Sequence, residues 1–518
     1  MNKVFLYVSI FFVSSFGFAQ QQNQMLWNKQ TQRIMAINSQ PIPVSLFEMD
    51  SINIGDSKID YFSKAANFKD VYAPKKSSGF QIQSQRLVTV NDWKFYGNFS
   101  FTKYSEKQTG FTEMTNPYRD NPYVIADSIT NAEWSKQKYV LETKIVSPEF
   151  VKNVNAGIAV KYLIDNGARQ VDPRPLDKAL DLKLDPFISY NNKNWITALG
   201  ITYTNYREDL NISLQNSQRP KNIYKILGLG EYLYSNPIII SNSLSRIYQG
   251  NGLGFNAVIG RKLKNKGLLQ ASFSHIKSDE KVTDGTSNPF AAGLHKNKQQ
   301  KLFLSFEKEA NQKQQFASLG FLNNHSDNIE HIQSLNPVTQ QYDLLYSSVM
   351  HQMDRKELDF KYQINFFKKE SLNWAIGLQM LYKSLDEKYA STNSLLYTKD
   401  VTTSWFVTKF FNIKSNQLSI GWNASYKAIG SNNFKYLINT ASTNFVAFNI
   451  VQPNYIFYTT PYFQNSAQIQ WTFQKFSKSD AQLYIKFNYQ NTKALQASNT
   501  VFDGKQNNNL MFTIGLYN

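Results

Sequence analysis

Cysteine is absent from all 518 residues, so no disulfide staples the fold and no thiolate is available as a nucleophile or metal ligand. Beyond its first twenty residues the chain also lacks any run of about eighteen apolar residues, the length a membrane-spanning helix requires. Acidic residues are scarce, with 38 Asp and Glu against 56 Lys and Arg, for a net charge of +18. Linkers rich in Pro, Gly or Ser, which would divide a soluble chain of this length into domains, are missing too. A chain of this kind can cross a membrane only as a closed β-barrel, because hydrocarbon tolerates no unpaired backbone donor or acceptor.

What is present agrees with that restriction. Aromatic residues make up 15% of the chain, with 38 Phe and 30 Tyr, although its mean hydropathy is negative. A barrel reconciles the two facts: only alternate residues face lipid, while aromatic rings gather in girdles at both interfaces. At the N-terminus Lys3 precedes the apolar run Val4–Val13, and Gly17 and Ala19 occupy the small-residue positions of a cleavage site. Residues 1–19 therefore read as a signal peptide, without the cysteine of a lipid-anchored protein. Residues 20–56 form an N-terminal segment. Within it, 23–38 read as a short amphipathic helix with Leu26, Gln30, Ile34 and Ile37 along one side, placed in the lumen as a plug or on the periplasmic rim.

From residue 57 to 518 the dominant pattern is alternation with period two, the mark of a strand with one apolar and one polar face. Leu483, Ile485, Phe487 and Tyr489 oppose Tyr484, Lys486, Asn488 and Gln490. Leu358, Phe360, Tyr362, Ile364 and Phe366 oppose Asp359, Lys361, Gln363 and Asn365. Short polar turns near 90–93, 147–153, 191–194, 264–267, 310–313, 368–372, 414–417 and 477–480 alternate with much longer connections. This rhythm predicts tight periplasmic turns and long outer loops. Those hairpins, a first strand near Ile59–Phe68 and a last at Leu510–Tyr517 give an all-β antiparallel transmembrane barrel of about eighteen strands, or sixteen without the weakest pair. In the last strand Leu510, Phe512, Ile514 and Leu516 face lipid, as pairing with the first strand to abolish the free edge requires.

Several motifs in the first third resemble a family of Gram-negative outer-membrane barrels known only as a domain of unknown function. They are Ile54–Phe62 (IGDSKIDYF), Phe95–Phe101 (FYGNFSF) and Asn116–Ser128 (NPYRDNPYVIADS). After the opening helix, where that family has Asn-Pro-Ala, this chain has Asn38, Ser39, Gln40 and Pro41. The resemblance implies the fold and the outer-membrane location, and brings no catalytic or ligand residue with it.

Candidate chemistry is sparse. His325, Asp327, Glu330 and His331 suit a divalent metal by type, but turn-forming composition and the lack of an HExxH helix favour an ordinary outer loop. Gly250, Gly252 and Gly254 fit neither phosphate-loop spacing, and read instead as a place of close backbone approach. The densest mixed cluster is Tyr118, Arg119, Asp120, Tyr123 and Asp127, in a loop from Glu113 to Asn131 restricted by Asn116-Pro117 and Asn121-Pro122. Its rings, guanidinium and carboxylates suit a sugar, peptide or anionic ligand, and the restriction predicts a loop folded over or into the barrel mouth. The blander alternative is a set of capping acids with Arg119 paired to one of them.

Inward Lys161, Lys361, Lys427 and Lys486 would line a pore and favour anions. The scattered positive charge, without any recognition motif, argues against nucleic acid and for contact with outer-membrane lipid and lipopolysaccharide. The expectation is a channel or transporter for an unidentified solute. The alternative is a plugged barrel acting as a surface binding or structural component with an outer-membrane or periplasmic partner. No enzymatic chemistry and no cofactor are expected.

Overall fold

In the computed structural model the described residues are 27, 30, 33, 34, 37, 40–49, 53–215, 222–235, 243–263, 267–368, 371–414, 416–436, 444–473, 481–496 and 501–518. The expected signal peptide, Leu26 and the turn at 477–480 lie outside them.

The chain runs through β1 (Asn53–Ala66), β2 (Lys76–Val90), β3 (Trp93–Thr109), the short β4 (Ile125–Asp127), β5 (Ala132–Val146), β6 (Val154–Arg169), β7 (Arg174–Asn191) and β8 (Trp195–Ser213). A hairpin of β9 (Ile223–Gly228) and β10 (Glu231–Ser235) precedes β11 (Ser243–Leu263), β12 (Gly267–Asp284), β13 (Phe290–Ala310), β14 (Lys313–Leu335) and β15 (Tyr342–Lys368). The remainder is β16 (Ser371–Tyr389), β17 (Ser394–Ile413), β18 (Asn416–Lys435), β19 (Tyr462–Thr472), β20 (Gln482–Ala494) and β21 (Gln506–Tyr517). Two short helices, α1 (Val44–Phe47) and α2 (Gln452–Tyr458, continuing a π-helical turn at Ala447–Val451), belong to segments that are not strands of the wall.

All strands except β4, β9 and β10 form one antiparallel sheet of eighteen strands. It closes on itself where β1 pairs with β21, from Asp56 opposite Tyr517 to Ala66 opposite Asn507. Closure removes both sheet edges, as a lipid-embedded wall requires. The first strand, the least marked in the sequence, is present and begins at Asn53, a few residues earlier than expected.

The alternation sorts the side chains as read. On β21, Leu510, Phe512 and Ile514 are 43–46% exposed on the outer wall, while Thr513 is buried inside, its hydroxyl donating to Asp60 of β1. At one end the strands join by tight turns. Asn91 and Asp92, and likewise Asn311 and Gln312, adopt left-handed backbone conformations in two-residue turns, whose twist matches that of the flanking strands. At the other end the connections are of two kinds: those after β6, β12, β14 and β16 are short, whereas those after β3, β8 and β18 are long and fold inward.

Candidate functional site

The lumen is occupied from both ends. After β3 the chain folds into the mouth. Asn116 Oδ1 accepts the N–H of Tyr118 at 3.2 Å, and Asn121 Oδ1 accepts that of Tyr123 at 2.9 Å, so each Asn-Pro pair is locked as an Asx turn. The segment then adds β4 to the edge of the β9–β10 hairpin, making a three-stranded sheet outside the wall sheet. Met114, Tyr123, Ile125, Ile223 and Val446 form an apolar cluster there with Leu210, Tyr248 and Val282 of the wall.

Charged pairs hold this plug to strands on the β6–β15 side of the barrel. Arg119 lies between Glu208 of β8, at 2.6 Å, and Glu280 of β12, with its guanidinium 3.8 Å from the centroid of the Tyr206 ring. Asp120 pairs with Arg355 of β15 and accepts from Asn324 of β14 at 2.7 Å. Tyr123 is buried, and its hydroxyl donates to the carbonyl of Ile329 at 2.8 Å. Asp127 is 2.7 Å from Arg169 of β6. Tyr118 remains half exposed and donates to Asp70 at 2.7 Å. Thus the structure gathers all five residues singled out in the loop, and engages each of their side chains in a contact within the protein. Arg119 pairs with wall glutamates, not with the loop acids that the capping alternative supplied.

Glu113 shares the buried Arg169 guanidinium with Asp127. Burial above all, and then the Asp127 carboxylate, hold its carboxyl well above the usual range against the pull of Arg169. The docked loop therefore binds a proton that a free loop releases near the ordinary Glu value. Docking is strongest below that value and weakens as pH rises through the raised one. Glu113→Gln, which keeps the neutral shape, is expected to remove this contribution. Protease cleavage of the loop, measured from pH 5 to 9, should accelerate with pH in the parent and less steeply in the variant, where burial still raises Asp120.

At the turn end the N-terminal segment fills part of the lumen. Trp27, Ile34 and Ile37 are helical and buried, in one cluster with Ile54, Tyr96, Phe187, Val258, Tyr484 and Tyr517 of the wall. Wall cations satisfy its backbone carbonyls. Lys144 Nζ of β5 donates to the carbonyls of Ile37 and, at 2.6 Å, Gln40, and Lys94 Nζ of β3 donates to that of Phe47 at 2.7 Å. Arg33 pairs with Glu307 of β13 at 2.8 Å, and Lys262 of β11 with Glu48 at 2.9 Å. The outer plug uses the same device: Lys136 Nζ donates to the carbonyl of Thr115 at 2.9 Å.

Beside the N-terminal plug, against β13–β20, lies a cavity of about 590 Å³. Gln363, Asn423, Gln468 and Asn488 give it amide groups, and Phe316, Phe406 and Phe410 give it aromatic surface. The Phe406 ring occupies the space beside Gly377 that any Cβ would enter. Its charges are matched: Asp359 pairs with Lys361 at 2.9 Å and accepts from Gln379 at 2.8 Å.

Of the four lysines expected to line a pore, Lys161 shares the inward face of β6 with buried Ala159 and Asp165 but is itself exposed to the lumen. Lys361 lines the cavity. Lys486 lies on the face of β20 shared by buried Tyr484. Lys427 departs from the expectation: it is buried, and its Nζ donates to the carbonyl of Tyr458 in α2 at 2.6 Å, so it holds an inward segment and does not face a water path.

The histidine motif is also corrected. It lies in β14, not in a loop; His325 stays within 3.4 Å of Asp327, while Glu330 and His331 turn to other partners. His325 faces Asp354 at 2.9 Å, Glu330 accepts from Tyr389, and His331 meets Ser347 at 2.8 Å. Among the described residues no cluster of His, Asp or Glu suits a metal. Gly252 and Gly254 sit where a Cβ would collide with Thr204 and with the backbone at His275, so the close approach is that of the neighbouring strands.

Glu208, Glu280, Arg355, Arg169 and Arg246 escaped sequence reasoning. A strand such as β8 carries Arg207 and Asp209 outward beside Glu208 inward, so charge alone does not mark a luminal anchor.

A closed eighteen-strand wall with an apolar outer face and a polar, plugged lumen defines a membrane β-barrel of the Gram-negative outer-membrane type. The chain belongs to the family of unknown function DUF6850, whose model matches residues 43–518. No curated protein matches its sequence. Among solved structures it is similar to the ferric yersiniabactin uptake receptor FyuA from Yersinia pestis, at 9% identity and a TM-score of 0.41, covering 90% of this chain and 80% of that one. It is also similar to Pseudomonas aeruginosa OccK9, at 9% identity and a TM-score of 0.37, covering 90% of this chain and 98% of that one. BauA, the ferric preacinetobactin receptor from Acinetobacter baumannii, matches at 6% identity and a TM-score of 0.37, covering 90% and 80%. None of these likenesses carries a ligand over to this chain.

Proposed function

We propose that the protein is an exported outer-membrane channel or carrier, held closed at its outer mouth, that takes a small, neutral, hydroxyl-rich solute into the luminal cavity. The observation that carries this reading is the pairing of a neutral amide-and-aromatic cavity with a mouth sealed by ion pairs. A barrel that only needed filling would be served as well by apolar packing, since buried ion pairs are often no more stabilising than hydrophobic groups of similar volume. Charged anchors, unlike an apolar plug, exchange their partners for water when the loop leaves. Amide side chains match hydroxyl groups as donors and acceptors, and flat rings match the apolar faces of a sugar. Pairing with Asp359 offsets the charge of Lys361, the lysine that lines the cavity.

The test is liposome swelling with a variant whose loop is released, Arg119→Ala. Entry of maltotriose at least ten times faster than that of trigalacturonate is expected. Equal exclusion of both, with the loop accessible to protease, would reject transport and favour a plugged barrel with a structural or surface-binding role.

A further inference from the structure

The β14–β15 hairpin outgrows the wall. β15 has 27 residues, but β16 rises only as far as Tyr389, opposite His351. The N–H of Ala390 closes on the carbonyl of Met350 at 2.7 Å, and β17 then begins at Ser394. On that side, residues Tyr342 to Val349 pair with no strand among the described residues. At about 3.3 Å per residue the open edge is roughly 25 Å long. On the hairpin's other edge, beyond Ile329 opposite Leu294, the contact with β13 is made by side chains. The Gln333 amide accepts from the N–H of Ala291 at 3.1 Å and donates to its carbonyl at 2.9 Å, and Phe290 packs edge-on against Tyr342.

This edge stands clear of lipid. Above the lipid-facing Leu358, Phe360 and Tyr362, the outer face carries a polar belt in which His325 meets Asp354 at 2.9 Å and Gln352 donates to Asp327 at 2.8 Å. Beyond the belt the surface turns apolar again. Leu344, Leu345 and Tyr346 are 58–65% exposed, and Val338 at the tip is 89% exposed. The stretch Tyr342–Val349 holds neither lysine nor proline, the residues that ordinarily blunt an edge, and its one charge, Asp343, accepts from Asn336 at 2.9 Å.

We propose that the edge Tyr342–Val349 is a docking strand that takes an extended, largely uncharged segment of another surface protein by strand addition. An open row of backbone donors and acceptors specifies an extended chain as its occupant, and exposed apolar side chains on both faces reward one that alternates apolar residues. A second copy of this chain fits less well. Copies inserted in one membrane point the same way, so like edges meet only in the parallel sense, the weaker pairing, whereas a segment of another protein is free to run antiparallel.

The probe is a fluorescein-labelled octapeptide of alternating Val and Thr, titrated by anisotropy against the detergent-solubilised full chain. Saturable binding is expected. It should weaken at least tenfold when alternate amides of the peptide are N-methylated, and also when Leu345→Lys and Tyr346→Lys are combined. Val338→Lys, at the tip, should leave it unchanged, and heat-modifiable migration on a gel checks that each variant folds. Absence of saturable binding, or equal binding of the N-methylated peptide, overturns the proposal. So does sedimentation as a dimer that the peptide fails to dissociate, since the edge would then belong to a second copy. Because the readout is independent of permeation, failure here leaves the channel reading standing, and failure there leaves this one.

Discussion

Replacing Arg119 by alanine is expected to turn a silent protein into a conducting one. In the closed mouth this guanidinium lies between Glu208 and Glu280, and its removal leaves two buried carboxylates facing one another. Breaking a buried pair by removing one partner costs about 3–5 kcal/mol. At about 1.4 kcal/mol per decade, that multiplies the population of undocked loop by roughly a hundredfold or more. The wall does not depend on this contact, because each of its strands has a hydrogen-bonded neighbour on both sides. Planar bilayers should therefore record stepwise conductance from the variant and little from the parent, while both keep heat-modifiable migration on a gel. A folded variant that stays silent, with its loop still protected from protease, would mean that the apolar cluster around Tyr123 and Ile125 seals the mouth without the ion pairs.

The second large effect is expected at the other end. Lys144→Ala removes the ammonium that donates to the carbonyls of Ile37 and Gln40, leaving both acceptors buried beside an apolar methyl group. Hydrogen bonds to a charged donor contribute roughly 1.5–3 kcal/mol each. Loss of even one makes release of the N-terminal segment about ten to a hundred times more frequent. The absence of native cysteine makes the measurement clean. Ile37→Cys, fully buried in the docked segment, should react slowly with a maleimide in the parent background and at least tenfold faster when combined with Lys144→Ala. Equal rates would show that the apolar contacts of Ile34 and Ile37 hold the segment unaided.

The wall of this barrel was legible in the sequence because strand alternation is a local property. Leu510, Phe512 and Ile514 against Thr513 declare two faces within a few residues, and turns such as Asn91-Asp92 mark where the chain reverses. Strand number, closure by the last strand and the side that carries the long loops all follow from such short-range signals. So did the stiffness of the loop at 116–123, which its two Asn-Pro pairs impose. What fills the lumen was decided only by tertiary structure. Arg33 meets Glu307 and Asp120 meets Arg355, pairs 274 and 235 residues apart, and nothing in the spacing of these charges relates one to the other. Inward lysines show the same limit. Lys361 lines open space and Lys427 grips a backbone carbonyl, yet both occupy the polar face of an alternating strand. Period-two patterning tells which way a side chain points, but the partner it meets there depends on how distant segments fold back into the enclosed space.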